Sequence, residues 1–185
     1  MKKIIIELLI LFVVFTITLQ GCIEQNNIDT EVVTAPLNNL GLNLTDLPDN
    51  IYPFDERYND TVQVDIFSDD NITKLEEYSV DYRYKETDSY YMLFELRKIE
   101  STEDAKKVFE SQKNAFTEYA TEEIPLGEIG NQSILGKVGT RYHLILREYN
   151  IILTITSTLD TEITEQEVIN YATIVVNNIE SSMQS

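Results

Sequence analysis

One thiol, one imidazole and an excess of carboxylates make up the reactive inventory of this 185-residue chain. Cys22 is its only cysteine, so the chain has no internal disulfide and no cysteine-based metal site. His143 is its only histidine, which removes every multi-histidine metal site. It stands between Tyr142 and Leu144 in an alternating stretch, on the side of Arg141 and Ile145, with no neighbour to make it a ligand or a base. It reads as a structural or surface residue. Asp65 and Asp69-Asp70-Asn71 offer oxygens of the kind Ca²⁺ takes, but without the alternation and glycine of a calcium loop. A turn stabilised by Asp and Asn side chains fits them better. Glu122-Glu123 reads as a solvated loop, and the acids from Asp160 to Glu167 as a helix start that favours negative charge. No phosphate-binding loop, dinucleotide-binding glycine motif, nucleophile elbow, zinc-protease helix or EF-hand loop occurs. No catalytic residue, metal or cofactor is therefore expected. Tyr82, Tyr84, Tyr90, Tyr91 and Tyr142 offer rings to a groove for a sugar or peptide, but tyrosine is also a strand residue that packs its ring and wets its hydroxyl. Packing is the reading adopted for them.

The surroundings of Cys22 give it a chemical role. Lys2 and Lys3 precede an apolar run from Leu8 to Phe15, extended to Leu19. A positive start, a short apolar stretch and a small residue before a cut make an export signal. Ile4 to Leu19 is 16 residues, short of the ~20 needed to span a bilayer. Leu19-Gln20-Gly21-Cys22 resembles the lipobox of prokaryotic membrane lipoproteins, with an apolar residue three before the cysteine and a small one beside it. The resemblance covers residues 1–22. It implies cleavage between Gly21 and Cys22, a thioether-linked lipid on Cys22, and a domain held at the cell membrane facing outside the cytoplasm.

Charge narrows the partners. The net charge is −18, and removing residues 1–21 takes away two lysines and one glutamate, leaving −19. So acidic a surface excludes the basic patch that nucleic acid demands. It also opposes adsorption to anionic lipid headgroups, so contact with the membrane falls to the lipid. Asn43, Asn59, Asn71 and Asn131 each open an Asn-x-Ser/Thr sequon, available for N-glycosylation only where the host modifies exported proteins.

Residues 1–21 thus form the signal, 22–50 a lipidated N-terminus and tether, and 51–185 one domain. The tether is rich in Asn, Asp, Glu and Thr, with Pro36 and Pro48 and no sustained period, although Leu37 to Leu47 is apolar enough to pack on the domain edge. Alternation predicts strands at Val62 to Phe67, Tyr78 to Tyr84 and Tyr90 to Arg97, the last two as an antiparallel hairpin. Ser101 caps a helix to about Tyr119, with Ala105, Val108, Phe109, Gln112, Phe116 and Tyr119 along one side. Thr121 to Gly136 reads as irregular, with an extra strand near Ile134. Strands follow at Tyr142 to Arg147 and Ile151 to Ser157. Thr164 and Glu167 then form a capping box for a last helix striped by Val168, Tyr171, Ala172, Val175, Ile179 and Met183. This order predicts an α+β fold: an antiparallel sheet with two amphipathic helices packed on it.

From Ile124-Pro125-Leu126-Gly127 through Gly130-Asn131-Gln132-Ser133 to the last helix, the chain resembles a block in uncharacterised exported lipoproteins, some of which resemble the PsbP-like sandwich. Amides stand here where that block has an acidic pair. The resemblance carries no catalytic assignment. Together these features favour a lipid-anchored, non-catalytic binding or scaffolding module whose partner is an envelope protein or a small exported ligand. A cell-surface hydrolase using acidic residues, or a structural envelope protein, are the alternatives.

Overall fold

The computed structural model describes residues 31–60, 75–157 and 163–184. Gly21 and Cys22, Asn71, the predicted strand at Val62 to Phe67 and its following turn lie outside them. The fold is α+β. Its elements are β1 (Ile51–Asn59), β2 (Leu75–Tyr84), β3 (Tyr90–Ile99), α1 (Thr102–Tyr119), β4 (Glu122–Ile124), β5 (Gln132–Val138), β6 (Arg141–Glu148), β7 (Ile151–Ser157) and α2 (Glu165–Met183). The strands make one antiparallel sheet in the order β1-β2-β3-β7-β6-β5-β4. Two meanders thus meet where β3 pairs with β7, Phe94 opposite Ile155 and Leu96 opposite Leu153. Five of the eight residues of β6 and five of the seven of β7 are buried, as in strands covered on both faces.

Alternation divides the sheet residues between two faces. One face presents Tyr82, Phe94, Leu96, Leu144, Leu146, Leu153 and Ile155 to α2, which buries Val168, Tyr171, Ala172, Val175, Val176 and Ile179 against them. The other presents Ile134, Ile145 and Ile152 to α1, which buries Ala105, Val108, Phe109 and Phe116. The two helices therefore lie on opposite faces. Their N-termini are as the sequence predicts. The Ser101 hydroxyl accepts the Asp104 N–H at 3.1 Å, and Thr164 and Glu167 form a reciprocal capping box.

Four features depart from the sequence expectation. Strand β1 begins at Ile51 and runs through Pro53, tolerated because β1 is an edge strand and its register shifts beside the proline. A second shift, between Tyr82 and Arg83, sets Tyr90 on the face opposite to Met92 and puts Tyr91 in the α2 core. Strand β4 is three residues long, two of them exposed acids, and so shows no periodicity. Finally, the packing of the segment before β1 includes the expected Leu37 to Leu47 stretch but extends beyond it to Val33. Val33, Leu37, Leu40 and Leu47 are buried, with 3-10 turns at Leu37–Asn39 and Leu44–Asp46. The Asn178 amide donates to the Leu40 and Gly41 carbonyls at 3.3 and 3.1 Å, tying this segment to α2. Buried Asn150 fastens its start: Oδ1 accepts the Val33 N–H at 2.7 Å while Nδ2 donates to the Ile99 carbonyl at 2.8 Å.

Candidate functional site

Helix α1 covers only part of its face of the sheet. Beside it the floor from β3 to β6 stays open, and a groove of about 580 Å³ runs between them. Its wall is the outer part of α1: Gln112, Ala115, Phe116 and Tyr119. Gln112 and Tyr119 lie on the helix side that the spacing predicts, and both line the groove, Tyr119 at 69 % exposure. The floor is built from odd-numbered residues of β3 and β6 and even-numbered residues of β7, as the pleat requires: Leu93, Glu95 and Arg97; Arg141, His143 and Ile145; Thr154 and Thr156.

The position of the wall rests on Gly136 of β5. A Cβ there would stand 2.3 Å from the Glu122 carbonyl oxygen and 2.8 Å from the Phe116 ring. Glycine alone lets β4 and Phe116 close over the strand. Beyond it, the buried Arg147 donates from Nε to Gln132 at 2.7 Å, and Gln132 in turn donates to Glu110 at 2.8 Å. That chain links β6, β5 and α1 and fixes the helix over the sheet.

On the floor, Arg97 bonds Glu77 of β2 at 3.1 Å and also forms an ion pair with Glu95. Burial pushes the Glu95 carboxyl up to about 7, with Arg97 opposing the rise and the adjacent Glu77 carboxylate adding to it. His143 faces the side shared by Arg141 and Ile145, as its position in the strand predicts. Its ring stacks on Phe116 with centroids 5.4 Å apart, and Nδ1 meets the Thr156 hydroxyl at 2.8 Å. Burial lowers its pKa, so the imidazole is neutral at pH 7. The site thus offers one carboxyl that titrates near neutrality, one neutral imidazole, two threonine hydroxyls and an aromatic wall. Among the described residues no carboxylate is hydrogen-bonded to the imidazole, and no three His, Cys, Asp or Glu side chains come together as a metal cage. Among the described residues Glu95 is the single carboxylate lining the groove.

The tyrosines do not converge here. Tyr82 and Tyr91 are buried on the α2 face, where the Tyr91 and Tyr171 hydroxyls meet at 2.9 Å. Tyr84 packs edge-on to Tyr91, and Tyr142 packs on the same core under Lys137. Tyr90 is exposed and, with Phe54, flanks the Arg83 guanidinium at 4.4 and 3.4 Å. Of the sequon residues, Asn43, Asn59 and Asn131 are exposed, at a turn, a strand end and a loop. The Asn131 side chain already accepts the Tyr149 N–H at 2.8 Å. The sequence singles out His143 as the only histidine, whereas Glu95 is one acid among 32 with nothing local to mark it. Their meeting in one groove depends on the β3–β7 pairing, a contact between distant strands that no local pattern encodes.

Compared with known protein families, curated proteins and solved structures, the chain matches none. Among the described residues no helix is long and apolar enough to cross a membrane.

Proposed function

We propose that this is a lipid-anchored extracytoplasmic binding domain, held at the membrane through Cys22, with the α1 groove as its binding site. The observation that carries the reading is the groove itself: a cleft of ligand size with an apolar wall and a few polar groups set on a rigid strand floor. A small exported molecule with an apolar body and a polar end suits that lining. Hydrolysis by paired carboxylates needs two of them set around the scissile bond. With Glu95 the one carboxylate lining the groove among the described residues, the chemistry favours binding over turnover.

Two experiments test it. Cys22→Ser should release the protein from the membrane fraction, and retention of the variant in membranes sinks the anchor. For the groove, Ala115→Trp fills the space beside Phe116. Purified full-length protein exposed to its own envelope extract should retain a small molecule detectable by mass spectrometry, and Ala115→Trp should not. Equal recovery from both proteins would remove the groove as the site.

A further inference from the structure

Glu148 closes β6 on the α2 face, beneath the loop around Gly130. The residue is almost fully enclosed at 3 % exposure, and among the described residues Oε2 has no hydrogen-bond partner. A carboxylate taken out of water and left with an oxygen unmatched is costly. A cleft of about 340 Å³ opens over it, lined also by Glu128, Asn131, Asn177 and Glu180. Among the described residues no basic side chain lines this cleft. Arg147, next in sequence, is turned to the other face, where it bonds Gln132 and the Tyr149 carbonyl. Burial and the Glu180 charge oppose ionisation of Glu148, while the Asn131 backbone and the Arg147 charge favour it.

We propose that this cleft binds a hard divalent cation, Ca²⁺, between the carboxylates of Glu148 and Glu180. The ligand set is oxygen alone, which selects hard cations over zinc or copper. Asn177 and Glu180 lie three residues apart on one side of α2, so an amide oxygen stands beside the second carboxylate. Water completes the coordination. Ca²⁺ tolerates such an irregular set on a strand end and a helix surface, whereas Mg²⁺ demands a near-ideal octahedron. Two carboxylates, without a third close enough to make a cage, place the affinity with extracellular modules, at about 10⁻⁴–10⁻³ M. The cation would supply the partner that the buried oxygen lacks.

The test uses the full-length protein and CaCl₂ at constant ionic strength. Calorimetry should find one strong site per chain. At ten times Kd the ratio of folded to unfolded protein should rise about elevenfold, read as an increase in Tm. Glu148→Gln should fold, be no less stable than wild type without Ca²⁺, and lose the response. Glu180→Gln, at an exposed position, should lose it too and serves if the buried variant misfolds. The proposal is overturned if Ca²⁺ up to about 10 mM, well above that affinity range, gives neither heat nor a shift. It is equally overturned if both variants respond as wild type, or if Glu118→Gln on the opposite helix abolishes the response, which would mark a general counterion effect.

Discussion

Replacing Glu95 by Gln should change how stability depends on pH, and the sign follows from the site. The folded protein holds the Glu95 carboxyl at about 7, against an ordinary value of 4.5. A group whose pKa is raised on folding binds its proton more tightly in the native state. Its contribution is complete below pH 4.5 and is lost as pH rises through about 7. At 1.36 kcal/mol per pH unit the full loss is about 3 kcal/mol. Water at the open side of the groove screens the charge, so ~1–3 kcal/mol is expected. His143 works the other way in a lower window. Its pKa is depressed, so its contribution is present above the unfolded value near 6.5 and fades as pH falls below it. Glu148, also raised by burial, adds a slope of the same sign as Glu95. Comparing wild type with Glu95→Gln cancels both of these backgrounds. Denaturant unfolding at pH 4.5 should show the two proteins within about 1 kcal/mol, because the amide mimics the protonated carboxyl in shape. By pH 8.5 the variant should be the more stable by ~1–3 kcal/mol. A difference between the proteins that stays constant from pH 4.5 to 8.5 would refute the burial argument and the assignment of Glu95 to a desolvated floor.

Three further outcomes are expected. Leu40→Ala should cost ~2–5 kcal/mol in urea unfolding, because Leu40 is 1 % exposed in the α2 core; a loss under ~0.5 kcal/mol, the range of surface changes, would return this segment to the tether. Asn150→Ala removes the bonds to Val33 and Ile99, so it should destabilise by about 1–3 kcal/mol and speed hydrogen exchange at the Val33 amide, with unchanged exchange counting against the clip. Gly136→Val drives a side chain into the Glu122 carbonyl and Phe116, so Tm should fall by several degrees, reflecting ~1–3 kcal/mol of overpacking, and limited proteolysis near Thr121 should accelerate; wild-type behaviour would mean that β4 does not close there.

Local order was legible wherever a residue's neighbours in sequence are also its neighbours in space. Ser101 and Thr164 announce their helices because capping acts within one turn. The hairpin of β2 and β3 follows from two alternating runs and a short link. The failures are all non-local. Tyr90 and Tyr91 exchange faces because a bulge adds one residue, and a period-two pattern has no means of marking it. The leucines from Leu37 to Leu47 mark that stretch as able to pack, but Val33 stands among polar residues, and only its bond to Asn150 in the fold shows that the packing reaches so far. The groove is the extreme case. Glu95, His143 and Thr156 come from three strands, and whether they form a site depends on sheet order and on how much of the floor α1 leaves uncovered.

The packed N-terminal segment fixes a radius of action. With a lipid on Cys22 as proposed, and Val33 pinned by Asn150, eleven residue steps separate bilayer from domain. Covalent geometry limits them to about 40 Å however they are shaped, where a tether reaching Asn50 would have allowed roughly 100 Å. A domain on so short a leash patrols a shallow shell about its own diameter deep. So anchored, it would meet molecules that travel along the membrane or are handed to its surface, and would be barred from anything deeper in the surrounding space.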